Sequence, residues 1–206
     1  MLASASPARL STLRNAGLNP EVIVSGVDES GVEADSVAEL TGRLAQLKAE
    51  AVFATVGADG EGDAEGHTIV IGCDSLLALD EEPFGKPGSP SVAIDRWRRM
   101  RGRSGVLHTG HHLIVRRPTE ILTRSAVAST TVHFAGLTDA EIEAYVATGE
   151  PLQVAGAFTV DGLGGPFVTS IEGDHHNVVG ISLPVIRVLL AGAGIDWPLL
   201  WASRSP

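Results

Sequence analysis

Cysteine is almost missing from this chain: Cys73 is the single one in 206 residues. One thiol excludes an internal disulfide framework and any paired-thiolate metal site. Cys73 stands inside an apolar run, where a small core residue is expected, and its isolation suits a reducing compartment. Long apolar runs are lacking as well, and none approaches the ~20 residues that a membrane-spanning helix requires. The opening residues, MLASASPARL, have neither the basic start nor the continuous apolar core of a secretory signal, so the expected compartment is the cytoplasm, with no membrane partner. Basic charge is in deficit, with 15 Lys and Arg against 25 Asp and Glu and a formal net charge of -10. A general nucleic-acid surface is therefore not expected. An anionic substrate would need locally placed cations or a metal ion. Aromatic residues make up only 4%, and the arginine-rich stretch from Arg96 to Arg103 contains no aromatic but Trp97, so it reads as a solvated helix face. The signature motifs of several chemistries are also absent: there is no GxxxxGK[ST] phosphate loop, no GxSxG nucleophile elbow and no HExxH.

What is present is a globular composition, 44% hydrophobic and 19% charged, in a chain long enough for a sizeable core. Met1 to Ala3 suits a short strand. Ser6 as N-cap with Pro7 at the first helical position starts a helix that Gly17 stops. Glu21 to Gly26 reads as a second strand. A long helix follows from about Asp35, with Val37, Leu40, Leu44, Leu47 and Ala51 at helical spacing and Lys48 beside that stripe. Gly57 to Gly66, glycine-rich and acidic, has no apolar period and reads as a surface loop. A helix from about Ser91 carries Val92, Ile94, Trp97 and Met100. Val106 to Val115 and Ile121 to Phe134 read as a long antiparallel pair. Thr138 and Glu141 form a capping box that opens a helix ended by Gly149. Ala157 to Val160 and Phe167 to Ile171 read as further strands, the last helix starts near Ser182, and Ser203 to Pro206 form a tail.

The stretch from Thr68 to Lys86 carries the first functional expectation. Thr68 to Ile71 is a β-branched run followed at once by Gly72, the pattern of a strand covered on both faces. Asp74 then falls at the expected strand end, where open α/β sheets bind ligands. It either faces that crevice or caps the following turn; the residues alone leave both open. A hairpin-like return would bring Lys86 back toward it. The helix start at Ser6, with Ser4 and Arg9 nearby, offers backbone N–H groups and a cation to a phosphate, or is simply a capped helix. His108, His111, His112, His175 and His176 invite a metal reading, but alternation along a strand sends His111 and His112 to opposite faces.

Taken together, these stretches resemble the Maf family, nucleoside triphosphate pyrophosphatases related in fold to inosine triphosphatase. Leu2 to Arg9 resembles the family's opening signature. Val24 to Glu29, Leu44 to Ala49, Ile71 to Ser75 and Gly85 to Pro87 follow in the family's order and approximate spacing. So do His108 to Gly110, Gly149 to Pro151 with Ala155 to Phe158, and Ile171 to Asp174 with Asn177 to Gly180. The resemblance covers nearly the whole chain. It implies one α/β unit over residues 1–206, an elongated, bent mixed sheet flanked by helices, with two lobes about a central cleft and no separate linker.

The implied activity is hydrolysis of a nucleoside triphosphate to a monophosphate and pyrophosphate with a divalent cation, Mg or Mn. A housecleaning role on non-standard nucleotides and a homodimer are further implications. Matched motif by motif, Asp74 falls on the proton acceptor, and Glu29, Lys48 and Lys86 on catalytic positions. Ser4, Ser6, Arg9, Ser75 and Asp161 fall on substrate-binding ones. Hard carboxylate oxygens at Glu29 and Asp74 suit a metal that bridges phosphates, while Arg9, Lys48 and Lys86 suit the charge that develops on leaving pyrophosphate. The chain departs from the pattern at Ala8, where an arginine is usual, at Ser75 for threonine, at Gln153-Val154 for an Asp-Lys pair and at Asp161 for glutamine. Those departures motivate the alternative, a nucleotide-binding regulator of cell division or septum formation with little or no turnover. A carboxylate-nucleophile phosphatase is weaker, since Leu76 stands where that chemistry wants a second aspartate.

Overall fold

The structure, a computed structural model, describes residues 1–56 and 67–201. The loop expected from Gly57 to Gly66 and the expected tail from Ser203 lie outside the described residues. Among the described residues, six strands form one mixed sheet: β1 (Leu2–Ala3), β2 (Thr68–Leu79), β3 (Glu82–Phe84), β4 (Ser104–Arg116), β5 (Ile121–Phe134) and β6 (Val168–Glu172). Their order is β1-β2-β4-β5-β6, with β3 also on β2. β1 runs parallel to β2 and every other pair is antiparallel. The helices are α1 (Pro7–Asn15), α2 (Val37–Val56), α3 (Pro90–Met100), α4 (Asp139–Ala147), α5 (His175–Val179) and α6 (Leu183–Gly192).

Local chemistry sets most boundaries. The side chains of Ser6, Ser89, Thr138, Asp174 and Ser182 each accept a backbone N–H of the helix they open, satisfying donors that a helix start leaves free. The capping box is complete, with Glu141 reaching back to the Thr138 backbone N–H at 2.7 Å. α5 was not foreseen. Asp174, as its N-cap, accepts from the His176 N–H at 2.9 Å.

Four expectations are corrected. The strand expected over Glu21 to Gly26 shrinks to one parallel bridge between Val22 and Leu2, and at Gly26 (φ 62°) the backbone turns left-handed. Ala157 to Val160 is not a strand, because Gly156 and Ala157 both take positive φ (70° and 60°) in a turn fixed by Trp97 Nε1 donating to the Ala157 carbonyl at 2.7 Å. β2 does not end near Asp74 but continues to Leu79. Gly72 is no breaker: a Cβ there would run into the Ala45 carbonyl of α2, and one at Gly110 would run into Thr41. The two glycines form a notch across β2 and β4 that lets α2 lie against the sheet. For the same reason α2 buries Thr41, Ala45 and Ala49 along with Val37, Leu44 and Val52, while Leu47, expected on the inner face, is 37% exposed.

On the opposite face of β2, side chains read apolar, polar, apolar. Ile71 and Cys73 join a core with Leu2, Leu13, Leu113 and Ile186. Leu77 and Leu79 join another around Trp97, with Phe84, Phe134, Tyr145 and Phe158, so most of the few aromatics gather there. Trp97 meets Phe134 and Tyr145 edge-on at 5.7 Å and Phe167 at 5.9 Å, the arrangement aromatic quadrupoles favour. Between the two cores lies Ser75. No helix among the described residues is long and apolar enough to cross a membrane.

Candidate active site

The site begins with a gap. β1 accompanies β2 only to Gly72, and β3 joins it only from Leu77. Cys73 to Leu76 therefore has no strand along this edge among the described residues. Its backbone polar groups need other partners.

Arg9 fills the gap. Delivered by the first turn of α1, its buried guanidinium donates from Nε to the Gly180 carbonyl at 2.7 Å, from Nη1 to Ser4 Oγ at 2.8 Å and the Cys73 carbonyl at 2.9 Å, and from Nη2 to Ser75 Oγ at 2.9 Å. Ser75 Oγ bonds Thr109 Oγ1 across the β2–β4 pair at 2.9 Å. Asn177, fully buried, donates to the Leu107 carbonyl and to Thr130 Oγ1 at 3.1 and 3.0 Å. A polar belt thus runs between the two cores. Arg9 joins α1, β2 and the turn after α5, so its charge is fixed in place.

Asp74 points to the other face, toward α2. The notch packing carries Lys48 over the strand, where its ammonium bonds Asp74 Oδ1 and pairs with Glu29 Oε1 at 2.8 Å. Two carboxylates from distant segments thereby converge on one point. Burial pushes the Asp74 carboxyl above the ordinary carboxylate range, although Lys48 and Arg9 act in the opposite sense. Burial also pushes the Cys73 thiol up to about 11, which leaves it protonated and inert. His111, beneath the belt, is held near 4 by burial, with Arg9 acting in the same direction. Its Nε2 accepts from the Ser182 N–H at 2.9 Å, a bond that a protonated ring could not accept.

These groups face a cleft of about 890 Å³, within the range of small-molecule sites. Ser4, Ser6, Arg9, Glu29, Lys48, Asp74, Ser75, Lys86 and Asp161 all line it, so every site residue expected from sequence comes together. They are not equivalent. Ser4, Arg9 and Asp74 are buried, whereas Glu29, Lys86 and Asp161 are exposed. Ser6 is occupied in part as the α1 N-cap, accepting from the Arg9 N–H at 3.4 Å. The supports Thr109, Asn177 and Gly180 received no role from sequence. Their only signal was their place within the matched blocks.

Residues 1–193 match the family described as Maf-like protein. The chain belongs to the Maf family. Similar proteins include ones named nucleoside triphosphate pyrophosphatase from Salinispora tropica, 56% identical over 98% of this chain and 87% of the relative, and from Streptomyces avermitilis, 52% identical over 99% and 95%. A third, of the same name, from Cutibacterium acnes, is 50% identical over 98% and 93%.

Proposed function

We propose that this Maf protein is a nucleoside triphosphate pyrophosphatase, cleaving its substrate between the α- and β-phosphates to release a nucleoside monophosphate and pyrophosphate. The observation that carries this reading is the convergence of Asp74, Lys48 and Glu29 at the uncovered edge of β2, in a cleft large enough for a nucleotide. The relatives' shared name agrees with it.

In this reading Asp74 takes a proton from the attacking water. Burial suits it to the task, because a carboxyl with a raised pKa is a stronger base. Lys48 holds Asp74 in orientation and adds positive charge near the reacting phosphate. Lys86, exposed at the mouth, meets the leaving pyrophosphate. Arg9 spends most of its donors on protein groups, so it acts by fixing Ser4 and Ser75 and by its field. Asp161, elsewhere on the cleft wall, accepts from N–H groups of the base.

A divalent cation, Mg or Mn, fits the donor set. Glu29 and Asp74 bring hard carboxylate oxygens to the same part of the cleft, with one oxygen of each on the Lys48 ammonium and the second oxygen of each left to offer a cation. Two protein carboxylates with water and phosphate oxygens make the kind of set that magnesium accepts. When bound, the cation would neutralise phosphate charge and acidify water. The lone, buried Cys73 supports a reducing, cytoplasmic setting.

The test is a panel of normal, methylated and oxidised nucleoside triphosphates with pyrophosphate and inorganic phosphate measured separately. Metal-dependent pyrophosphate release from at least one supports the proposal. Tight binding without product supports a nucleotide-binding regulator instead, and inorganic phosphate alone supports a phosphatase.

A further inference from the structure

A further part of the cleft wall comes from the segment Glu150 to Gly164, and its two ends are joined by one side chain. Glu150 Oε1 accepts from Tyr145 Oη at 2.9 Å, Thr159 Oγ1 at 2.5 Å and the Gly164 N–H at 3.0 Å, while Oε2 accepts from the Leu163 N–H at 2.9 Å. Tyr145 Oη in turn accepts from the Thr159 N–H at 3.2 Å. The near half of the loop is anchored elsewhere, through Trp97 to the Ala157 carbonyl and through the Gly156 N–H to the Gly85 carbonyl at 3.3 Å. The far half, Thr159 to Gly164, contains Thr159, Val160 and Asp161 of the cleft wall. Among the described residues, every side-chain hydrogen bond that ties this half to the rest of the protein ends on Glu150 or Tyr145; beside these, only the local backbone bonds from the Gly165 and Phe167 N–H groups to the Gly162 and Gly164 carbonyls hold its far end.

Two glycines make room for this closure. A Cβ at Gly162 would lie 2.6 Å from Glu150 Oε2, and one at Gly164 would lie 2.5 Å from Tyr145 Oη. Burial raises the Glu150 carboxyl, but donation from Thr159, Leu163, Tyr145 and Gly164 outweighs it and leaves the group below its ordinary range. Four donors converging on one carboxyl favour its ionised form, which accepts without a proton of its own and binds them more strongly.

We propose that Glu150 is a positioning residue for substrate binding: its carboxylate closes the loop so that Thr159, Val160 and Asp161 stand as a preformed wall for the nucleoside. Glu150 touches none of the reacting atoms. It removes in advance the ordering cost that a loose loop would levy on binding, so its loss weakens affinity and leaves the chemical step on β2 nearly unchanged. This role rests on the pyrophosphatase reading for the identity of the ligand.

Two variants of the full chain test it. Glu150→Gln turns an amide N–H₂ toward groups that are themselves donors, and Tyr145→Phe removes one donor to Glu150 and the acceptor for Thr159. Binding is measured by calorimetry with α,β-methylene analogues of nucleoside triphosphates and Mg, beside steady-state pyrophosphate release from the natural nucleotides. Glu150→Gln is expected to raise Kd and KM about tenfold with kcat within about threefold of wild type, and Tyr145→Phe to shift both the same way about threefold. Unchanged Kd in both variants overturns the proposal. So does a loss seen only in binding stoichiometry and kcat, which is the mark of misfolded protein with intact sites. If Glu150→Gln does not fold, Tyr145→Phe decides. A wild-type protein that binds the analogues without releasing pyrophosphate fails the enzyme reading, and the affinities still judge Glu150. A wild type that binds none of them overturns both.

Discussion

On the β2 side of the cleft, polar groups ride on regular structure: Asp74 and Ser75 on a strand, Arg9 and Lys48 on helices, each cross-linked to segments far away in sequence. Elsewhere on the cleft wall, Thr159 to Asp161 ride on a stretch without strand or helix of its own, whose side-chain ties run to one carboxylate and the tyrosine beside it. The difference teaches a division of labour. Rearranging the first wall means disrupting the sheet or a helix, so it suits chemistry that needs fixed distances. Adjusting the second costs a few hydrogen bonds, so it suits recognition of a variable base.

Arg9 is where the fixed wall should break hardest. Arg9→Met removes four hydrogen bonds and leaves the Cys73 and Gly180 carbonyls without them, so denaturant unfolding should show a loss of about 3 kcal/mol or more, and activity should fall about a hundredfold. A stability change under about 1 kcal/mol would mean that the guanidinium is not the tie between the elements. The next effect probes the notch. Gly110→Ala places a methyl against the Thr41 backbone and should cost about 2–3 kcal/mol. Because α2 carries Lys48, kcat should fall as well, and a change in stability alone would uncouple the helix from the site.

Acid should separate the two walls. His111 is held near 4 against an ordinary 6.5, so the unfolded chain takes up its proton first as pH drops. Its stabilising contribution is complete above about 6.5 and is lost as pH falls toward about 4, by order of 3 kcal/mol. The groups that donate to Glu150 hold its carboxyl below its ordinary range, so its lock resists acid better than an ordinary carboxylate would. Melting temperature should therefore decline from neutral pH to about pH 4.5, and His111→Gln should flatten the decline. Asp74 works in the opposite sense: its raised pKa moves the acid limb of kcat above the ordinary carboxylate range, since the base must be ionised. The smallest effect belongs to the loop wall. Asp161→Asn should change KM by about threefold and alter the ranking of bases, with kcat nearly constant; an equal loss of kcat for every nucleotide would place Asp161 in the chemistry instead.

Much of this architecture is legible in sequence where the signal is local. Helix starts at Ser6, Thr138 and Ser182 and the β4–β5 pair follow from caps and alternation over a few residues. Where tertiary packing decides, local reading fails. Gly72 looks like a strand end, but its missing side chain serves α2, and the same notch turns Ala45 and Ala49 inward in place of Leu47. The positive-φ turn at Gly156-Ala157 interrupts a stretch whose composition suits a strand. In the site, Asp74, Lys48 and Glu29 are found by resemblance to Maf blocks. The belt of Ser75, Thr109 and Asn177 joins residues far apart in the chain, and no spacing rule announces such a contact.

The most direct test of the account is pyrophosphate release by wild type and Asp74→Asn on the best nucleotide, with nucleotide binding measured on both. The account predicts one pyrophosphate per monophosphate from wild type and a loss of about a thousandfold in the variant, with affinity retained. Release of inorganic phosphate, or a variant that turns over within a few-fold of wild type, would contradict it.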